Sequence, residues 1–158
     1  MYPRVTKAKV KKIQDGDTIN LTTGERIRFF GIDAPETFPH AQPYGEEAKE
    51  RVKELIESNG MNVHLLAVNK AGNADKYERL IRIVFVDKDV DVNLLLLREG
   101  LAWAYRRYLK GTEFETPYVE AEEEAKREKR GLWGDSKNVP VNPEDFRRSY
   151  KHRKRHVK

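Results

Sequence analysis

The feature that most constrains the fold is an alternation of apolar and polar residues between positions 4 and 68, broken by turn residues and one helix. From Val5 to Ile13 apolar residues are separated by lysines, and the stretches after Gly16 and Gly24 repeat the alternation. A period of two is typical of strands with one buried face. The two glycines mark tight turns between these stretches. The sequence therefore predicts that the first three strands form a meander.

Helical patterns begin after this meander. Between Gly45 and Gly60 apolar residues recur at i, i+4, i+7 and i+8 among charged residues, which indicates an amphipathic helix. A second helix is predicted over 91–98, and a third from an N-cap at Thr116 to Lys129. Two more strands are predicted near 63–67 and 81–85. Five strands and three helices predict an α+β fold, specifically a five-stranded OB-type β-barrel with three packed helices.

Composition excludes several classes of protein. The chain has 158 residues, which fits one domain. It has no cysteine, so disulfide scaffolds, thiolate metal sites and cysteine nucleophiles are excluded. The longest apolar run, 94–97, is too short to span a bilayer, and no membrane association is expected. No export leader follows Met1, so we expect a cytoplasmic chain, or a secreted one if a leader was removed.

The positive charge is concentrated at the two ends. The whole chain has a net charge of +5, but residues 1–12 carry five Lys or Arg and no acids, and 147–158 carry seven and no acids. Residues 13–146 have 19 basic and 26 acidic residues. The change in composition predicts a folded domain over 1–134 and a basic, poorly ordered tail over 135–158. A solvated terminus, a nucleic-acid contact and a targeting role stay open for this tail.

Carboxylates collect near the ends of two predicted strands. Asp15 and Asp17 flank a glycine, and Asp33 and Glu36 follow the strand predicted over 26–32. Strand ends in a meander can meet on one side of a barrel, where several oxygen ligands would face one hard cation such as Ca²⁺ or Mg²⁺. The four histidines lack ligand spacing, which disfavours zinc. Taken singly, each acid is explained as well by a turn or capping role.

Arginines and aromatic residues are interleaved with these acids. Arg28, on the outward side of its strand, and Arg79, at the start of another, would match the oxygens of a phosphodiester and of its transition state. Glu36 could accept a proton from an attacking water. Tyr105 and Tyr108 lie among arginines, a pattern typical of single-strand recognition. A surface ion pair for Arg28 and simple packing for the tyrosines are the alternatives.

A set of short motifs stands in one order along the chain. They are Asp-Gly-Asp-Thr at 15–18, Arg-Phe-Phe-Gly-Ile-Asp-Ala-Pro-Glu-Thr at 28–37, Asp-Lys-Tyr-Glu-Arg at 75–79, Gly-Leu-Ala at 100–102 and Gly-Leu-Trp at 131–133. In these motifs and their order, residues 5–133 resemble the staphylococcal (micrococcal) nuclease family. The resemblance implies an OB barrel with three helices. It also implies endonucleolytic cleavage of DNA and RNA with little sequence specificity, giving 3′-phosphoryl ends.

The resemblance further implies roles for individual residues. The catalytic residues would be Arg28, Glu36 and Arg79. The ligands of a Ca²⁺ ion would be the carboxylates of Asp17 and Asp33 and the main-chain carbonyl of Ala34. The substrate-binding residues would be Lys76, Tyr77, Tyr105 and Tyr108. We expect a monomer that prefers single-stranded or frayed DNA and RNA.

Two residues depart from the family pattern. Glu78 and Leu80 stand where many members have glycine, and Glu78 places a negative charge beside Arg79, which is expected to slow turnover or alter the metal demand. One alternative function is a non-catalytic OB-fold module that binds single-stranded nucleic acid. Another is hydrolysis of a different phosphodiester. The acids favour the nuclease, because a pure binder has no need of a carboxylate cluster that repels phosphate.

Overall fold

The computed structural model describes residues 5–68 and 74–156. The strands are β1 (Val5–Asp15), β2 (Thr18–Leu21), β3 (Arg26–Phe29), β4 (Ile32–Asp33), β5 (Asn62–Leu66), β6 (Leu80–Val86), β7 (Val90–Asp91) and β8 (Trp103–Ala104). The helices are α1 (Gly45–Glu57), α2 (Val92–Arg98), α3 (Arg106–Leu109), α4 (Glu115–Arg127) and α5 (Pro143–His156).

Five of the strands close into a barrel, which confirms the predicted architecture. β1 pairs antiparallel with both β2 and β5, β2 pairs with β3, and β5 pairs with β6. A parallel pairing of β3 with β6, in which Ile27 lies opposite Leu80, closes the circle. Register shifts in β1 after Val10 and Ile13 are the irregularities that bend a long strand. This bending allows β1 to pair with β2 through one part of its length and with β5 through another.

The three predicted helices are present, together with α3 and α5. α1 buries Ala48, Val52 and Ile56, the face that its apolar spacing predicts. The third predicted helix, α4, begins after Phe114 rather than after Thr116. The proline at position 117 thus lies within the first turn, where main-chain N–H groups have no partner inside the helix. None of the helices in the described residues is both long and apolar enough to cross a membrane.

The strand predicted over 26–32 is interrupted. β3 ends at Phe29, and Gly31 adopts φ 75°, a conformation open to glycine, before β4 begins. A Cβ at Gly31 would lie 2.7 Å from the side chain of Leu109, so the turn also needs glycine for space. β4 then pairs with β8, with Asp33 opposite Trp103. The break therefore carries Asp33 out of the barrel strand and toward β8.

Residues 143–156 of the segment expected to be a poorly ordered tail (135–158) form helix α5; residues 157–158 lie outside the described residues. Asn142 caps the helix, since its Oδ1 accepts a hydrogen bond from the N–H of Glu144 at 2.9 Å. Pro143 occupies the first helical position, which suits proline. The ring of Tyr150 stacks on His40 with 3.8 Å between centroids. The domain boundary after residue 134 stays a prediction.

Candidate active site

Arg28 and two aspartates form a buried cluster at the ends of β2, β3 and β4. The guanidinium of Arg28 lies 3.4 Å from Oδ2 of Asp17 and 3.3 Å from Oδ1 of Asp33. Strand pairing produces this meeting, because Thr18 lies opposite Arg28 and the N–H of Phe29 donates to the carbonyl of Asp17 at 2.8 Å. Both aspartates are buried. Three of the predicted site residues thus come together.

Hydrogen bonds fix the orientation of Asp17. Its Oδ2 accepts from the main-chain N–H of Ala34 at 2.8 Å, and its Oδ1 accepts from the hydroxyl of Thr18 at 3.1 Å. The N–H of Asp17 donates to Oδ1 of Asp15 at 3.0 Å, so Asp15 has the turn role that a glycine-flanking aspartate favours. The Asp17 carboxylate is therefore held in place from two strands.

The cluster holds more carboxylate than its arginine neutralises. Burial, together with the charge of Asp17, raises the pKa of Asp15 to about 8 and that of Asp33 to about 7. Burial also opposes ionisation of Asp17, but the charge of Arg28 and the hydrogen bonds above hold the pKa of Asp17 below its ordinary value. Burial therefore outweighs the charge of Arg28 at Asp15, and the charges of Arg28 and Arg147 at Asp33.

One carboxylate oxygen is suited to a further ligand. Oδ2 of Asp33 is buried and accepts no hydrogen bond from the described residues. Buried polar atoms are nearly always hydrogen-bonded, so a buried carboxylate oxygen without a hydrogen bond fits a hard cation. No group of three or more His, Asp or Glu side chains in the described residues forms a metal site by itself. The implied set has two carboxylates, and its third ligand is the main-chain carbonyl of Ala34.

Glu36 lies beside this cluster on a loop that Gln42 braces. The N–H of Glu36 donates to Oε1 of Gln42 at 2.9 Å, and the N–H of Gln42 donates back to the carbonyl of Glu36 at 2.8 Å. The Glu36 carboxylate accepts a hydrogen bond from Nη1 of Arg147. Nη2 of Arg147 lies 3.6 Å from Oδ2 of Asp33. Burial raises the pKa of Glu36, and the charge of Arg147 opposes that rise.

Arg79, Lys76 and Tyr77 form a separate group on the turn before β6. Nε of Arg79 donates to Oδ2 of Asp75 at 2.7 Å. The Lys76 ammonium lies 5.1 Å and the Arg79 guanidinium 5.3 Å from the centre of the Tyr77 ring, which is 54% exposed. Among the described residues no ion pair joins Arg79 to the carboxylate cluster. Glu78 adopts φ 62°, a left-handed conformation that favours glycine over residues with a Cβ.

Tyr105 and Tyr108 form an aromatic pair between β8 and α5. Their rings meet edge to face with 4.6 Å between centroids, and the guanidinium of Arg107 lies 5.5 and 5.4 Å from them. The N–H of Tyr105 donates to the carbonyl of Gly31 at 2.8 Å, which keeps this tyrosine near the turn that positions Asp33. Tyr108 is 49% exposed, so its ring offers a face to a ligand.

Known proteins share this sequence pattern. Residues 26–135 match the family described as staphylococcal nuclease homologue. The chain is 35% identical over 147 residues to an uncharacterized endonuclease of Haemophilus influenzae, covering 90% of this chain and 74% of the relative. It is 32% identical over 140 residues to a micrococcal nuclease of Shigella flexneri, covering 82% of this chain and 74% of the relative. It is 40% identical over 138 residues to an SPbeta prophage-derived endonuclease of Bacillus subtilis, covering 84% of this chain and 45% of the relative.

This chain belongs to the staphylococcal nuclease family. The match spans more than half of the chain and includes the cluster residues Arg28, Asp33 and Glu36. The relatives are named as endonucleases, so the fold and the family together identify a nuclease hydrolase that acts on nucleic acid. Within this family assignment, the roles of the individual site residues remain predictions.

The sequence reasoning missed the contribution of α5 to this nuclease site. Arg147 reaches Glu36, and Glu144 receives an ion pair from Arg107 at 3.2 Å. The helix itself has a local signal, since Asn142 followed by Pro143 and two acids is typical of a helix start. No local signal places that helix against Glu36, because the contact joins residues far apart in the chain.

Proposed function

We propose that this nuclease is a calcium-dependent endonuclease that cleaves DNA and RNA with little sequence specificity and leaves 3′-phosphoryl ends. The observation that supports it most is the convergence of Asp17, Arg28, Asp33 and Glu36, with a buried oxygen of Asp33 that lacks a hydrogen bond. Such a site combines an acceptor for a proton, a guanidinium for phosphate oxygens and oxygen ligands for a hard cation.

The proposed cofactor is held by three groups. Asp17 and Asp33 would bind Ca²⁺ through their carboxylates and Ala34 through its main-chain carbonyl. A main-chain ligand does not depend on which side chain stands at position 34. When bound, the ion supplies Lewis-acid polarisation of a phosphate oxygen and neutralises developing negative charge. The oxygen-only donor set supports this assignment, because calcium prefers carboxylate and carbonyl ligands.

The chain's own residues would carry out the proton transfer and the charge stabilisation. Glu36 orients a water for in-line attack on phosphorus and accepts its proton. The bond from phosphorus to the 5′ oxygen breaks as the new bond forms, and the departing oxygen takes a proton from solvent water. The Gln42 hydrogen bonds fix the main chain of Glu36, which keeps this base in one position. Arg28 then donates to the phosphate oxygens, whose negative charge increases in the transition state.

Arg79 would act as a catalytic residue with Arg28, by donating to phosphate oxygens whose charge increases in the transition state. Substrate binding is assigned to groups outside the cluster, and Lys76 would bind a terminal phosphate. The exposed rings of Tyr77 and Tyr108, with Tyr105, would stack on bases. Stacking on a protein ring requires an unpaired base, which supports a preference for single-stranded or frayed nucleic acid. We propose that the nuclease acts as a monomer.

Hydrolysis of a labelled single-stranded oligonucleotide tests the proposal directly. Cleavage is expected with Ca²⁺ and is expected to stop in EGTA, and mass spectrometry should find a 3′-phosphate on the upstream product. Parallel reactions with DNA, RNA and a duplex measure the substrate preference. Binding without cleavage at any metal concentration or pH would instead support the non-catalytic module.

A further inference from the structure

We propose that Arg147 of α5 is a substrate-binding residue of this active site, a third arginine that contacts the phosphodiester beside Glu36. This inference rests on the proposed role of Glu36 at the cleavage site. It adds the C-terminal helix to the catalytic machinery, because the contact comes from an element that follows the family-matched residues 26–135.

The first evidence is the position of the Arg147 guanidinium. It donates to the carboxylate of Glu36 and lies 3.6 Å from Oδ2 of Asp33. A water that Glu36 deprotonates lies within hydrogen-bond reach of that carboxylate, and the attacked phosphorus is next to the water. A guanidinium already bonded to Glu36 is therefore within reach of the oxygens on that phosphorus.

The second evidence is the availability of donors. A guanidinium has five N–H donors. From the described residues, Arg147 has one hydrogen bond, to Glu36, and one longer ion pair, to Asp33. Its side chain is 43% exposed, whereas that of Arg28 is 14% exposed and is already ion-paired with both aspartates. Arg147 is thus the more accessible of the two guanidinium groups, and it can keep its hydrogen bond to Glu36 while its other N–H groups bind phosphate.

The third evidence is that α5 is held by contacts that do not involve Arg147. Nε2 of Gln42 donates to the carbonyl of Val141 at 2.9 Å, just before the helix. Tyr150 stacks on His40 one helical turn beyond Arg147. Gln42 also braces Glu36, so the same side chain sets both the base and the segment that leads into α5. The helix therefore presents Arg147 from a fixed position.

Charge supplies the physical reason for such a residue. The carboxylates of Asp17 and Glu36 repel an incoming phosphodiester, and among the described residues Arg28 is the other arginine paired with acids of the cluster. An accessible guanidinium offsets this repulsion and matches phosphate oxygens with two parallel hydrogen bonds. The opposite possibility is that Arg147 blocks Glu36 and must leave before cleavage, which the experiment below distinguishes.

The test compares Arg147→Ala and Arg147→Lys with Arg148→Ala in the full-length chain. Arg148 is the matched control, since its side chain is 71% exposed and pairs with Glu144 instead of the cluster. Binding of a fluorescein-labelled tetranucleotide is measured by anisotropy in EGTA, and kcat/KM is measured with Ca²⁺. A charge-assisted contact is worth about 1.5–3 kcal/mol, which corresponds to a loss of about 10- to 150-fold in affinity.

Arg147→Ala is expected to show that loss in affinity and at least the same loss in kcat/KM, and Arg148→Ala should stay within about twofold of wild type. Arg147→Lys keeps the charge but lacks the planar guanidinium, so we expect a partial loss of affinity and of kcat/KM. This variant tests the inference if Arg147→Ala fails to fold. Unchanged binding, or faster cleavage by Arg147→Ala, would overturn the inference. The EGTA binding result stands even if wild type fails to cleave with Ca²⁺, a failure that would refute only the proposed function.

Discussion

Asp17 accepts a hydrogen bond from the main-chain N–H of Ala34, with 2.8 Å between N and Oδ2. This bond joins the start of β2 to the end of β4 and holds the Asp17 carboxylate beside Asp33. Arg28 then pairs with both acids from the intervening strand. The Asp17–Arg28–Asp33 cluster therefore depends on the pairing of β2 with β3 and on the turn at Gly31.

Replacement of Glu36 by glutamine should remove the general base while it keeps the shape of the side chain. We expect kcat to fall by about 10²- to 10⁴-fold with only a modest loss of oligonucleotide affinity, because the amide can orient water but accepts no proton. Initial rates with a single-stranded oligonucleotide and Ca²⁺ measure the effect. Glu47→Gln, at an exposed position of α1, is the control and should retain full activity. Near-normal turnover by Glu36→Gln would assign the base elsewhere.

Replacement of Asp33 by asparagine should abolish stabilisation by calcium. A ligand that binds only the folded state at about 100 times its Kd stabilises by about 2.7 kcal/mol, which raises the melting temperature. We expect that rise for wild type and for the exposed control Asp89→Asn, but not for Asp33→Asn. Thermal unfolding with Ca²⁺ and with EGTA measures the difference. An equal calcium shift in both variants would contradict the assigned ligand.

The barrel and most of the site follow from patterns in the sequence. Burial of the apolar face from β1 to β3 determines the register in which these strands pair. Ile19 and Ile27 are fully buried, as this register requires. The pairing of β2 with β3 also brings Asp17 to Arg28, and Asp33 follows Arg28 by only five residues. Short-range periodicity and strand pairing are sufficient for this part of the structure.

The remaining features depend on contacts between distant parts of the chain. The break at Gly31 is needed because β4 pairs with β8, a partner far along the chain. The position of α5 depends on the stacking of Tyr150 on His40 and on the bridge from Gln42 to Val141. Residues 147–158 also carry seven basic side chains, so nothing in the local pattern distinguishes Arg147 from its neighbours.

Gly45 should be essential for the position of Glu36. A Cβ at Gly45 would lie 2.5 Å from the carbonyl oxygen of Glu36 and 3.2 Å from that of Pro35, and these main-chain atoms cannot give way without moving the loop. Gly45→Ala is therefore expected to cost about 1–3 kcal/mol in stability and to lower kcat, by about 10²-fold for a displacement of about 1 Å. Urea unfolding and saturating kinetics measure the two effects.

Gly24→Ala is the matched control for Gly45→Ala. Gly24 adopts φ 104°, so alanine is strained there, but a Cβ would have no heavy atom within 4 Å. We expect Gly24→Ala to lose stability while the folded enzyme keeps its kcat. If Gly45→Ala also keeps its kcat, the close packing of α1 on the Glu36 loop has no catalytic consequence.

Asp91 should give the protein a stability that falls as the pH rises. Burial raises the pKa of Asp91 from 3.8 to about 6, although hydrogen bonds from the N–H of Leu94 and the hydroxyl of Tyr118 oppose the rise. The folded protein thus binds a proton that the unfolded chain releases near pH 3.8. The stabilisation is complete below about pH 4 and is lost as the pH rises through about 6.

Asp91→Asn removes this titration but keeps a side chain that can cap α2 and accept from Tyr118. Relative to wild type, the free energy of unfolding of the variant should therefore increase between pH 4 and 7, by up to roughly 3 kcal/mol. Urea unfolding across this pH range measures the difference in free energy of unfolding between the variant and wild type. Asp15 and Asp33 titrate in both proteins, so their contributions cancel in this difference. Tyr118→Phe removes one hydrogen bond to the charged form and should extend the loss to higher pH. A difference between Asp91→Asn and wild type that stays constant with pH would contradict the raised pKa.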